Sequence, residues 1–250
     1  MPAQVAQTLL RYCGVPKLSY LARTVRPELL AKPSRDFDAM VMRTLLNKIN
    51  ISQQTLRNAA SDPSSDAYVT EAQLRSRIAL PIKLGGFGIR SIAHTRHAAY
   101  FAAHIQMLPE YAALYPDTAS SKFADSALHT ELEECRQQLL SLSQSLTPTD
   151  VQPSPPGAAT QSARPHTSSP FNAPRYTLKS IDDVWKQAAC LASQKEKTPF
   201  APAYKLQHNI THSVELEQFR SLYASCKPYQ RVILTSLSKT AASSCFMTAL

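Results

Sequence analysis

IALPIKLGGFGIRS, residues 78–91, decides how this chain folds. Pro81 ends any helix that enters the stretch, because its ring breaks the hydrogen-bond ladder and biases the preceding residue away from helix. Gly85, Gly86 and Gly88 then put three of the chain's five glycines within four positions. Such clustering marks a structural turn in which the backbone takes conformations that L-residues adopt poorly. Ile82, Leu84, Phe87 and Ile89 surround the turn, and Ser91 suits the N-cap of a following helix. The stretch predicts two helices joined by a tight apolar turn. LGGFGI lacks the GK[ST] ending of a P-loop and is not a GxGxxG after a strand, so it is not a phosphate cradle.

Helical spacing continues on both sides. Upstream, residues 3–13 carry Val5, Leu9, Tyr12 and Cys13 on one face, with Gly14 as a C′ terminator. Pro16 opens a second helix with Leu18, Leu21 and Val25 as its stripe, and Pro27 ends it. Ser34 caps a third helix, with Asp36 and Asp38 in its first turn and Phe37, Met40, Val41, Leu45 and Ile49 on its core face. A fourth helix covers residues 67–78, after loop chemistry at 58–66. Downstream of Ser91 an alanine-rich helix runs to about Leu108 and predicts close helix packing. Leu128, Leu132, Cys135, Leu139, Leu142 and Leu146 are then spaced 4, 3, 4, 3, 4, an a/d seam on one helix. That seam suits either a helix partner, self-association included, or a hairpin neighbour.

Residues 147–174 hold seven of the chain's 18 prolines among Ser, Thr and Ala. Such a segment does not bury enough surface to offset its ordering entropy, so it predicts a disordered linker. Helices follow at residues 178–193, 213–225, 229–237 and 241–250. No period-2 strand pattern persists. The expectation is a mainly α chain: a helical bundle at 1–108, an amphipathic helix region at 109–146, a disordered Pro/Ser-rich linker at 147–176, and a second small helical part at 177–250.

The 250 residues carry a formal net charge of +9. Residues 1–107 contain 14 Lys or Arg against 6 Asp or Glu, a net +8, while residues 108–250 contain 13 against 12. A basic part beside a neutral one predicts a polyanion partner for the first. No run approaches 18 apolar residues and no basic segment precedes an apolar core at the N-terminus, so neither a membrane span nor a secretory signal is expected. The five cysteines, Cys13, Cys135, Cys190, Cys226 and Cys245, form no CxxC or CxH pair, which disfavours zinc and redox dithiols. These features predict an intracellular chain, cytoplasmic or nuclear and not secreted, with reduced thiols.

Catalytic chemistry is not indicated. His94, His97 and His104 fall within roughly an 80° arc of a helix at 100° per residue, but Phe101 and Leu108 share that arc and no carboxylate does. Asp182 and Asp183 suit a helix N-terminus, and Glu133 and Glu134 a solvated helix side. FADS, residues 123–126, echoes a polymerase F/Y-A-D-D hairpin but lacks the second aspartate that two-metal chemistry needs. No GxSxG elbow occurs. No catalytic residue, metal or cofactor is expected.

Several segments together resemble one family. LLRYCGVPKLSYLARTV, residues 9–25, resembles the segment that follows the polymerase core in non-LTR (LINE-type) retrotransposon reverse-transcriptase polyproteins. ALPIKLGGFGIRS, residues 79–91, is similar to that family's L-P-x-x-x-G-G-[LF]-G-[LI]-R-S signature, and HAAYFAAHI follows it. FDAMV, residues 37–41, matches the family's fD-containing helix, and residues 230–250 resemble its R-x-x-L-x-S stretch more weakly. The resemblance implies a helical thumb-like and connecting region without the catalytic palm, since no position here matches a catalytic aspartate and the Cys/His knuckle is absent. It implies contact with an RNA or DNA backbone, which needs Lys and Arg but no base readout. Lys17, Arg23, Arg26, Arg35, Arg43, Lys83, Arg90 and Arg96 are the candidate contacts. The reading of the chain is therefore a non-catalytic relic or C-terminal fragment of such an enzyme. The alternative is a repurposed helical protein–protein interaction module built on the Leu128–Leu146 seam.

Overall fold

The computed structural model describes residues 3–49, 51–52, 70–114, 123–144, 183 and 206–239. The expected loop at 58–66, the linker at 147–176, the helix at 178–193 around Trp185 and the last helix at 241–250 lie outside the described residues, Asp183 excepted. Every regular element among the described residues is helical, so the chain is mainly α, as its periodicity predicts.

The first two helices are continuous. α1 (Ala3–Leu9) passes through a π turn (Leu10–Gly14) into α2 (Val15–Thr24). Gly14 does not terminate α1; its backbone is helical, at φ −77° and ψ −63°. The reason lies at Pro16, which has no N–H to give Tyr12 and whose ring would crowd that carbonyl. The wider turn, in which the Val15 N–H donates to Leu10 O, admits the proline without breaking the rod.

α3 (Ala31–Lys48) starts one turn earlier than its sequence predicts. Ser34 is buried inside the helix, and its hydroxyl donates to Ala31 O at 3.3 Å rather than capping. Asp36 pairs with Lys32 at 2.8 Å, and Asp38 reaches another helix altogether. α4 (Glu71–Ala79) opens on a capping box in which Thr70 and Gln73 satisfy each other's backbone N–H. A 3-10 turn (Ile82–Leu84) leads through the glycines to α5 (Ile92–Leu114). α6 (Ala127–Gln144), α7 (Leu206–Ser225) and α8 (Pro228–Lys239) complete the described elements. No described helix is long and apolar enough to cross a membrane.

α5 organises the packing. Its first turns join a core with Val15 and Ala22 of α2, Val41 and Leu45 of α3, Ile78 of α4, and Phe87 and Ile89 of the turn. Ala98, Ala102 and Ile105 meet Leu132, Cys135 and Leu139 of α6 and Ile210 and Val214 of α7. The alanines let the helix backbones approach closely, as predicted. A third cluster packs Leu80 and Leu84 against Leu216, Phe219 and Leu222 of α7 and Leu234 of α8.

Two expectations change. Residues 206–239 do not form a separate second part, because α7 contributes to the α5–α6 core and to the cluster beneath the glycine turn. The sequence separates these segments by a long Pro-rich stretch, which says nothing about where the chain returns. The seam is also covered from within. Leu132, Cys135 and Leu139 are 0%, 1% and 5% exposed against the chain's own helices, so they present no face to a second copy. Leu128 is half-buried against the same cluster, Leu142 is exposed, and Leu146 lies outside the described residues.

Candidate nucleic-acid interface

The glycine turn folds back on the end of α4. The last carbonyls of a helix have no partner within it. Here the Phe87, Ile89 and Gly88 N–H groups donate to Arg77 O, Ile78 O and Leu80 O. This return is possible because Gly86 passes against Leu80, where a Cβ would lie 2.2 Å from the carbonyl oxygen. Gly88 sits at φ 73°, a left-handed conformation that costs other residues roughly 1–2 kcal/mol. The expected structural turn is thus realised, and it delivers Arg90 and Ser91 to the start of α5.

Ser91 caps α5, as predicted: its hydroxyl oxygen accepts from His94 N at 3.2 Å. Asp38 of α3 completes the cap. Its carboxylate accepts from the Ser91 hydroxyl at 2.6 Å and from the Ile92 and Ala93 N–H groups at 3.1 Å each. The helix dipole is thereby met by a carboxylate from the same chain. FDAMV and the end of the glycine segment meet at this point, through Asp38 and Ser91, which are 53 residues apart in sequence.

Beside this cap lies a cavity of about 450 Å³ between α3, α4 and α5. Arg35, Arg75, Arg90 and Arg96 line it, together with His94 and the single carboxylate Asp38. Arg35 is exposed. Arg96 is half-buried; its guanidinium bonds Ala93 O, while its Nε is buried without a hydrogen-bond partner. Burial, then the neighbouring Arg35, pull the Arg96 guanidinium below its ordinary range. Arg75 pairs with Glu71 at 2.6 Å on the surface of α4. Arg90 Nε donates to Glu215 Oε1 at 2.8 Å, and Glu215 is buried in α7.

The eight predicted contacts therefore divide. Arg35, Arg90 and Arg96 line the cleft, Arg90 while its guanidinium is paired with Glu215. Lys17 and Arg23 stand exposed on α2 and Arg43 on α3. Arg26 is engaged by Glu131 at 3.1 Å and Glu28 at 3.9 Å. Lys83 turns toward α7, with Nζ 3.3 Å from His212 Nδ1. Sequence reading missed Arg75, because nothing in the α4 pattern shows that this side faces α3 and α5.

The histidines of α5 do separate work. His94 Nδ1 lies 3.0 Å from the Ser91 hydroxyl, His104 Nδ1 lies 2.9 Å from Tyr100 O, and His97 Nδ1 is buried with no partner. No grouping of three metal-ligating side chains occurs among the described residues. Cys135 is buried in the seam, and burial pushes its thiol up to about 12, so it behaves there as a small hydrophobe. FADS is a helix entry: Phe123 is buried and the Ser126 hydroxyl oxygen accepts from His129 N at 3.1 Å.

Compared with protein-family models, with curated proteins and with solved structures, the chain matches none.

Proposed function

We propose that this chain is a non-catalytic, reverse-transcriptase-thumb-like module, a relic or piece of a retroelement enzyme. It holds nucleic acid in the cytoplasm or nucleus by its phosphates, without base readout. The observation that carries the reading is the cleft. Four arginines line a cavity whose one carboxylate among the described residues is committed to the α5 N-terminus. Arg75 and Arg90 are ion-paired with Glu71 and Glu215, which leaves Arg35 and Arg96 as the pair offered to an anion. Guanidinium groups match phosphate oxygens in planar, bidentate geometry, and an anion seated there would offset the mutual repulsion of Arg35 and Arg96. The net +8 of residues 1–107 supplies long-range attraction to the same ligand.

Binding of the full-length chain to a labelled oligonucleotide between about 50 and 200 mM salt tests this. Affinity should fall log-linearly with salt. Arg35→Gln and Arg96→Gln should each flatten the slope by about 1. Binding that is absent at low salt, indifferent to salt, or unchanged in the double variant would overturn the proposal.

A further inference from the structure

The α1–α2 rod presents a second surface that the cleft does not use. Residues 3–27 contain Arg11, Lys17, Arg23 and Arg26 and no Asp or Glu. Tyr12 and Tyr20 project from the same stretch at 63% and 66% exposure. Large aromatic rings left this open are unusual where the opposite side of the rod, at Ala6, Val15 and Ala22, is fully buried. The π turn contains Tyr12 and widens the winding between it and the start of α2. Beyond it Lys17, Tyr20 and Arg23 follow at three-residue spacing, each step about 60° around α2, and Tyr12 precedes Tyr20 by roughly 12 Å along the axis.

The glycine turn supports this surface from below. Gln7 Nε2 donates to Phe87 O at 2.7 Å and fixes α1 to the turn. A Cβ on Gly88 would lie 3.3 Å from the Arg11 guanidinium, so the glycine leaves that group its place. The guanidinium in turn lies 5.0 Å from the Tyr12 ring centroid. Tyr12 is therefore backed by a cation and oriented by it while most of its surface stays open.

We infer that this face is a stacking platform for unpaired bases, so that the chain holds single-stranded nucleic acid in preference to duplex. The inference rests on the phosphate reading and specifies its ligand. Aromatic rings interleaved with cations, of which Glu28 and Glu131 pair only with Arg26 among the described residues, fit a strand whose bases are free to stack while its phosphates meet Lys17 and Arg23. A duplex offers no base faces to the two tyrosines. A second copy of the chain would set this all-cationic face against itself.

The test uses the full-length chain, a labelled oligo(dT), an oligo(rU), a blunt DNA duplex of equal length, and vesicles of mixed phosphatidylserine and phosphatidylcholine. Wild type should bind both single strands more tightly than the duplex. Tyr12→Ala with Tyr20→Ala should weaken single-strand binding by at least about tenfold, leave duplex binding within about twofold, and keep the salt slope. Tyr12→Phe with Tyr20→Phe should bind as wild type. Tyr12→Leu with Tyr20→Leu keeps apolar bulk and helix propensity but should lose affinity as the alanine pair does. Equal loss on single strand and duplex, no loss, or retention by the leucine pair would overturn the inference. So would vesicle binding that is tighter than oligonucleotide binding and depends on the tyrosines. The cleft proposal fails separately, through an unchanged salt slope in the Arg35→Gln, Arg96→Gln protein.

Discussion

The α6 seam and the arginine cleft are both built on α5, and they are chemically unlike. At the seam, Leu132, Cys135 and Leu139 disappear against α5 and α7, and the helix is closed to further partners along those positions. At the cleft, Arg35, Arg75, Arg90 and Arg96 stand around an open cavity, with Arg75 paired to Glu71 and Arg90 to Glu215. The seam is made of residues that gain by leaving water, whereas the cleft sets arginines at the rim of an apolar floor that includes Val41, Met42, Ile78 and Ile89. A perfect heptad spacing therefore marks a structural region here, and an undistinguished scatter of arginines marks the region proposed to bind.

The largest effect that divides the two regions is a cavity in the seam. Leu132→Ala removes a fully buried side chain and should destabilise the chain by about 2–5 kcal/mol in urea unfolding. Leu142→Ala, on the same heptad but exposed, should change stability by less than about 0.5 kcal/mol. A seam that joined two chains would instead make both substitutions lower the molecular mass in solution. Equal effects at Leu132 and Leu142 would erase the contrast between an internal seam and an external surface.

The next effect is at the glycine turn. Gly86→Ala sets a methyl group against the Leu80 backbone, which cannot move aside without losing the bond from Gly88 N to Leu80 O. Overpacking of this kind should cost about 1–3 kcal/mol. It should also weaken polyanion binding in the fraction that stays folded, because the turn positions Arg90 and the start of α5. Leu132→Ala should leave binding by its folded fraction unchanged. Thermal unfolding followed by binding at a temperature where both variants are folded separates these outcomes.

Part of this was legible in the sequence and part was not. Helix periodicity located most of the core faces of α3 and α6, because apolar spacing reports burial directly, but on α1 and α2 it misassigned Val5, Leu9, Tyr12, Cys13 and Leu21, which are exposed. Pro81, Gly85, Gly86, Gly88 and Ser91 located the turn and the following cap, because local backbone chemistry needs no partner to be read. Asp38 was misplaced as a first-turn residue of its own helix; its true partner, the α5 N-terminus, is more than 50 residues away. Gly14 was misread as a stop, since a π turn beside Pro16 leaves no signature distinct from a helix end. The charge excess was legible as a total, but its division into cleft-lining, ion-paired and open cations was not. That division depends on Glu131 and Glu215, which arrive from α6 and α7.

Asp38 gives a smaller effect with opposite signs on folding and binding. Asp38→Ala removes acceptors from two α5 N–H groups and from Ser91, and should cost about 0.5–2 kcal/mol. It also removes the only carboxylate that lines the cleft among the described residues. The folded variant should therefore bind a phosphate-rich ligand more tightly than wild type at equal salt, while melting earlier. No seam substitution should show this inversion. Loss of both stability and affinity would mean that the cap, rather than the arginine charge, governs the cleft.

The smallest effect is in the pH dependence. Burial, followed by the positive charge of Arg96, holds His97 below the usual histidine range. Burial is also the main cause that lowers His94, with Asp38 opposing it, and the main cause that lowers His212 beside Lys83. An unfolded histidine takes up its proton near pH 6.5. Between the lowered folded value and that pH the unfolded chain binds more protons, so stability rises with pH through the window. The contribution is complete above about pH 6.5 and is lost as pH falls toward the folded values. The melting temperature should drop on going from about pH 7.5 to about pH 5.5, and His97→Gln should make that drop shallower. Leu132→Ala removes no titrating group, so its stability deficit should be the same across the range. At the cleft the sign reverses, because a protonated His94 adds a cation beside the arginines. Affinity for a polyanion should rise only as pH falls below the usual histidine range, and His94→Gln should abolish that rise. A pH-independent affinity in wild type would detach His94 from the cleft and leave it as part of the Ser91 cap alone.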